Sequence, residues 1–166
     1  MCIRDSAGIG RRFNVHGSVV IESGHALFVD DYGHHPTELA ATIEAARGGW
    51  PQRRLVVVFQ PHRYSRTREL FDDFANVLAE VDQLILSEVY AAGESPIHGA
   101  DGRALARAIR QRGKVEPIFV NHPADCISIL PGLLRDGDLV LLLGAGDIGT
   151  VAQQIYRDGL AVGGAG

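Results

Sequence analysis

With 166 residues, a net charge of −4 and 46% hydrophobic against 22% charged residues, the chain is long enough to bury roughly 70% of the surface its unfolded form exposes, in one core without staples. The acidic balance speaks against a binder of phosphate backbones. No apolar run approaches the roughly 20 residues that span a bilayer and no secretory leader pattern precedes the fold, so neither nucleic acid nor membrane is expected as a partner.

Residues 1–6, MCIRDS, show no periodicity and join abruptly to AGIGRRF, so residues 1–7 read as a non-native or truncated start. Cys2 and Cys126 lie far apart with no CxxC spacing, which fits two free thiols in a reducing cytoplasm. Two short apolar segments, GSVVIE and HALFV, flank Ser23-Gly24 and read as a hairpin, with His25 leading the second strand. The second segment runs into residues 29–38, VDDYGHHPTE, a polar strand-to-helix corner. Pro36 suits a first helical turn, where its missing N–H would have no partner anyway. Leu39, Ile43 and Ala46 then share a helical face, and Gly48-Gly49 should stop the helix.

Residues 53–60, RRLVVVFQ, form a continuous β-branched run between prolines, as expected of a strand covered on both faces. After PHRYSRTRE, Leu70, Phe71, Phe74, Leu78 and Val81 recur at helical spacing, with Ser65 or Thr67 as the expected N-cap. The unit repeats: a strand over 83–89, a Gly- and Pro-rich loop, and a helix over 102–111. The strand VEPIFV and a helix from Pro123 to Leu134 come next. The final unit, DLVLLLGAGDIGTVAQQIY, is a strand, a glycine corner and a helix carrying Val151, Ile155 and Leu160. The expected fold is α/β: a doubly wound, mostly parallel Rossmann-like sheet with an antiparallel edge hairpin and helices on both faces. Ligands bind such sheets beyond the carboxyl ends of the strands, where VDDYGHHP, QPHRYSRT and GAGDIG all fall.

Each motif has a plain reading beside its functional one. Gly144, Gly146 and Gly149 match GxGxxG, but the 17 residues after Gly149 leave no room for the next strand with its ribose-binding acid. The corner would still offer helix N-terminal N–H groups to an anion, or would simply pack the last helix. His34, His35 and His62 lack zinc spacing, so no metal site is expected. Asp30 and Asp31 suit a Mg²⁺ pair or hydrogen-bonding roles equally. Arg63 and Arg66, three apart at a strand-to-helix transition, could converge on one carboxylate or phosphate.

In order, DDYGHHPTE, QPHRYSRTRELFDDF, EVYAAGESPIHGAD and GAGDIG resemble the C-terminal domain of the Mur ligases of bacterial peptidoglycan synthesis, over residues 8–160, with 161–166 left as a flexible tail. Among those ligases the DDYGHHP corner fits the branch that joins L-alanine to UDP-N-acetylmuramate. The murein tripeptide ligase is the nearest rival, with a phenylalanine-alanine pair where Tyr32 and Gly33 stand here. His98 and Leu143 depart from the family's usual proline and polar residue.

The resemblance implies an ATP- and Mg²⁺-dependent, cytoplasmic enzyme in which ATP phosphorylates a carboxylate and an amine attacks the acyl phosphate. Asp31 would bond the ATP ribose. Tyr32, His34, Arg63 and Arg66 would surround L-alanine, with His34 as the catalytic candidate and the backbone at Gly144 and Gly146 beside the substrate. The family's phosphate loop, GxxxxGK[ST], does not occur in the chain. The expectation is therefore the third domain of a ligase, inactive alone. The contrasting expectation is a free-standing module that binds an anion or nucleotide and performs no chemistry.

Overall fold

The computed structural model describes residues 12–160, so Cys2 and the expectations for residues 1–7 and 161–166 lie outside the described residues. The chain opens with a hairpin of β1 (Asn14–Ile21) and β2 (Gly24–Asp31) around a two-residue turn at Glu22 and Ser23, one residue earlier than the sequence suggests. Next come α1 (Pro36–Gly49), β3 (Leu55–Phe59), α2 (Tyr64–Glu69), α3 (Phe71–Leu78), β4 (Gln83–Ser87), α4 (Gly102–Gln111) and the three-residue β5 (Ile118–Val120). A single 3-10 turn (Pro123–Asp125) leads into α5 (Cys126–Leu133), and β6 (Leu139–Leu143) and α6 (Ile148–Asp158) complete the described fold.

The strand order is β1-β2-β6-β3-β4-β5, with β1 antiparallel to β2 and the other neighbouring pairs parallel. Period-two alternation divides the core. Leu55, Val57 and Phe59 of β3 face a cluster with α1, α3 and α4, while Val56 and Val58 face one with α5 and α6. Every residue of β3 and β6 is buried, because helices cover both faces. Cys126 is a free thiol in the second cluster, and burial pushes it up to about 12.

Two local expectations change. The helix after β3 is broken at Leu70 into α2 and α3, and neither Ser65 nor Thr67 is its N-cap: that position is Arg63, with φ 75°. Thr67 Oγ1 donates back to Arg63 O at 2.9 Å, and Ser65 turns to another loop. Leu160 lies past the end of α6, after a cap at Gly159, yet is still buried in the second cluster.

At the foot of the sheet a part-buried ion pair ties β3 to β6. Arg54 donates to both oxygens of Asp138, at 3.0 and 2.7 Å, and also to Leu133 O at 2.9 Å. The hydrogen bond to Asp138 raises the Arg54 pKa above its usual range. Arg54→Met should therefore leave the buried Asp138 carboxylate without its cation, the Arg135 N–H still donating to it at 2.8 Å, and cost about 3 kcal/mol, the low end for breaking such a pair. Urea denaturation will show this as a lower midpoint, and an unchanged midpoint would contradict the assignment.

Candidate functional site

Register brings the strand ends level. Asp31 pairs with Leu143, Leu143 with Phe59, Phe59 with Leu86 and Leu86 with Phe119, so the loops leave the sheet from one row. The ladder continues beyond it: Gly144 N–H donates to Asp31 O at 3.2 Å and Gln60 N–H to Leu143 O at 3.1 Å. The loops after β3 and β4 are joined likewise, through Tyr90 N–H to Pro61 O and Arg63 N–H to Tyr90 O, both at 2.8 Å.

In the corner after β2, Asp31 is only 6% exposed. Its Oδ1 accepts from Gly33 N–H at 2.7 Å, and its Oδ2 from Phe13 N–H at 2.8 Å and the Thr42 hydroxyl at 3.3 Å. Asp30 is likewise turned inward, to Asn14 and Tyr156. The adjacent histidines diverge. His35 caps α1 by accepting from Thr37 N–H at 3.2 Å, while His34 turns to the cleft against Tyr32 in a T-shaped contact of 5.7 Å. Glu38 Oε1 accepts from the N–H groups of His34 and His35 at 2.9 and 3.1 Å. Burial pushes the Glu38 carboxyl up, but those two donors, with His34 and Arg12, outweigh it and hold it below its usual value.

Four rings cross the strand ends in a row. Tyr32 meets His34, His34 lies 5.5 Å from His62, and His62 stacks on Tyr90 at 5.4 Å and 15°. The two imidazoles hold opposite tautomers when neutral. His34 Nδ1 lies 3.3 Å from Tyr32 O and 3.9 Å from Glu38 Oε1, both acceptors, so it carries the proton and leaves Nε2 as the base. His62 Nδ1 lies 3.3 Å from Arg66 Nη1, which can only donate, so here Nδ1 is the acceptor. Burial, then the neighbouring His34, Arg66 and Arg63, lower the His62 pKa, keeping the ring neutral at pH 7.

Arg63 and Arg66 do not share a partner. Arg66 folds over His62, donating to its ring and its carbonyl, while the half-exposed Arg63 reaches Glu94 at 3.9 Å. The glycine corner serves the fold more than its motif suggests. Besides Gly144 N–H to Asp31 O, Ile148 N–H donates to Gln60 Oε1 at 3.0 Å. A Cβ at Gly144, whose φ is 141°, would lie 2.8 Å from Gln60 O, and one at Gly146 would lie 2.7 Å from both Gln60 Oε1 and Tyr90 Cγ. These glycines let the last corner close against Tyr90 and Gln60.

Thus Tyr32, His34, Arg63 and Arg66 come together on one open wall with His62, while Asp31 and Gly144 lie beneath it as supports. Tyr90, Glu94, Gln60 and Glu38 were not picked out from the sequence. The run EVYAAGESP contains two of them, but the contacts that give them meaning reach other loops. A groove of about 440 Å³ between α1 and α3 is lined by Ala40, Ile43, Glu44, Arg47, Asn76, Val77 and Glu80, and includes none of these residues. Among the described residues no group of three or more His, Cys, Asp or Glu is placed to hold a metal ion, and no helix is long and apolar enough to cross a membrane.

A family model described as the Mur ligase glutamate ligase domain matches residues 11–146. A UDP-N-acetylmuramate–L-alanine ligase of Xanthomonas campestris pv. campestris (strain B100) is 64% identical over 158 residues, covering 95% of this chain and 33% of the relative. One from Xylella fastidiosa (strain M12) is 60% identical over 162 residues, 97% of this chain and 34% of its own length. The chain thus spans about a third of the curated relatives it matches. Two solved structures share the fold: a UDP-N-acetylmuramate-alanine ligase of Thermotoga maritima, with TM-score 0.68 and 24% identity over 93% of this chain and 34% of that one, and a murein peptide ligase of Psychrobacter arcticus, with TM-score 0.65 and 19% identity over 89% and 29%.

The His62 shift has a definite sign. Below about pH 6.5 the unfolded chain binds a proton that folded His62 resists, so stability should fall as pH drops from there through the lower folded value. An NMR titration should place the His62 midpoint below 6.5, and His62→Gln should flatten that part of the stability profile. A midpoint at or above 6.5 would contradict the buried, cation-flanked ring.

Proposed function

The chain belongs to the Mur ligase family through its glutamate ligase domain, and from that premise we propose that it is the amino-acid-presenting domain of an ATP-dependent ligase that joins L-alanine to UDP-N-acetylmuramate. The observation that carries the reading is the convergence of Tyr32, His34, Arg63 and Arg66 on one open wall at the strand ends. An arginine fork pairs with the amino acid's carboxylate and thereby fixes where its amine points, a positioning effect that can be worth several kcal/mol. His34, with Nε2 as its lone-pair nitrogen, orients the amine or takes its proton as the amine attacks the acyl phosphate; phosphate leaves as the amide forms.

Gly33 supports the alanine-adding branch over the tripeptide ligase. An alanine there would place its Cβ 3.0 Å from Asp31 Oδ1 and 3.1 Å from Glu38 Cβ, so this corner would have to give way. Nucleotide chemistry is assigned elsewhere. The resemblance puts the phosphate loop in another domain of such ligases, and this chain spans about a third of its relatives, so we assign the ATP phosphates and Mg²⁺ to the part of the ligase beyond this chain. For Asp31, the ribose contact implied by the resemblance would be made by a carboxylate that already accepts from Gly33, Phe13 and Thr42. We propose support of the corner as its first role.

The test is a chimera in which this chain replaces the matching third of the Xanthomonas campestris relative. It should form UDP-N-acetylmuramoyl-L-alanine from ATP, whereas the isolated chain should form none. Arg63→Lys should raise KM for alanine about tenfold, because a point charge cannot replace the planar fork, and leave KM for ATP within about twofold. A chimera that accepts tripeptide and rejects alanine, or an Arg63→Lys variant losing ATP affinity alone, would contradict the proposal.

A further inference from the structure

Arg63 is held in place on all sides except along its side chain. Its backbone sits at φ 75°, left-handed for a residue with a Cβ, and its N–H is fixed to Tyr90 O at 2.8 Å. No hydrogen bond from its guanidinium to the described residues accompanies this, and the side chain is 46% exposed. An arginine left without an orienting neighbour loses rotamer freedom when it grips a ligand. The neighbouring carboxylate is Glu94, in the loop after β4, with its Oε2 at 3.9 Å from Arg63 Nη1.

Glu94 is not free to close that gap. Its Oε1 accepts from Ser65 N–H at 3.0 Å and its Oε2 from the Ser65 hydroxyl, so both oxygens are anchored to the first turn of α2. The carboxylate arrives there from a tight turn, with Glu94 N–H donating to Ala91 O at 3.0 Å and Ala92 and Gly93 at φ 52° and 89°. The two Ser65 donors hold Glu94 below the usual carboxylate range, so it is ionised at neutral pH. A charge fixed beside Arg63, too distant to consume its donors, orients the guanidinium without occupying it.

We propose that Glu94 is the positioning residue of the amino-acid site: anchored by Ser65, it presents the Arg63 guanidinium to the incoming carboxylate. This rests on the alanine-ligase reading above and adds a residue from the β4 loop to it. Glu94 acts through Arg63 and does not touch the substrate. It also links the β3 and β4 corners through side chains, in parallel with the backbone bonds between them.

The test uses the chimeric ligase. Glu94→Gln keeps an acceptor for Ser65 N–H and removes the charge, so thermal stability should be unchanged. KM for alanine should rise about threefold to tenfold as Arg63 regains its rotamers, with kcat and the KM values for ATP and UDP-N-acetylmuramate within about twofold. In an Arg63→Ala background the same change should add nothing to the alanine KM, the non-additivity expected of a residue acting through its neighbour. An unchanged or lowered alanine KM in Glu94→Gln would overturn the proposal, as would equal changes in all three KM values or a full effect in the Arg63→Ala background. A parent chimera that makes no alanine adduct would overturn the functional reading itself. An active parent with an indifferent Glu94 would overturn only this inference.

Discussion

The site depends on hydrogen bonds that carry the sheet past its own ends. Parallel strands in matched register put Asp31, Leu143, Phe59 and Leu86 on one level. The backbone bonds of Gly144 and Gln60, and the mutual bonds between the loops after β3 and β4, then prolong the ladder into what would otherwise be independent loops. Loops usually carry function at the cost of mobility, and tying them to a buried sheet restrains side chains that no helix or strand contains. The four-ring row from Tyr32 to Tyr90 is the visible result.

Chemistry follows from which donors that frame uses up. Polar atoms of Asp31 and of the glycine corner hold the corners together. The same wall carries groups suited to a zwitterion: a cationic fork, a phenol and an imidazole whose Nδ1, facing Tyr32 O, leaves Nε2 as the base. Two imidazoles 5.5 Å apart avoid mutual repulsion because His62 is kept neutral by burial and by the cations around it. An open wall of this kind is what a domain that closes onto the rest of a ligase would present.

Much of this was legible in the chain itself. β3 and β6 announce themselves as unbroken apolar runs, Pro36 and Gly48-Gly49 frame α1, and the polar corners fall where an α/β sheet places ligands. The break at Leu70 was hidden, because the stripe of apolar residues starts at Leu70 itself and no proline or glycine marks the boundary between residues 64–69 and 71–78. Ser65 and Thr67 have the chemistry of N-caps, but α2 begins before them and Ser65 is anchored by an acid 29 residues away. The internal partners of Asp31 were hidden for a related reason: a carboxylate in a motif looks the same whatever it accepts from, here the N–H groups of Phe13 and Gly33 and the Thr42 hydroxyl. Tyr90 and Gln60 gave no local signal, since their role is to meet Gly146 across the sheet. Patterns of burial are local in sequence, whereas the partners that satisfy a buried donor are not.

The central claim is that the corners form one unit with the sheet, and amide hydrogen exchange tests it most directly. The N–H groups of Arg63, Tyr90, Gly144 and Ile148 should exchange as slowly as those of β3 and β6, because the first three are bonded within the extended backbone ladder and Ile148 to the buried Gln60 side chain beside it. Rapid exchange at those four positions alongside protected strands would mean that the loops open independently, and that the wall of side chains is not built before a ligand arrives.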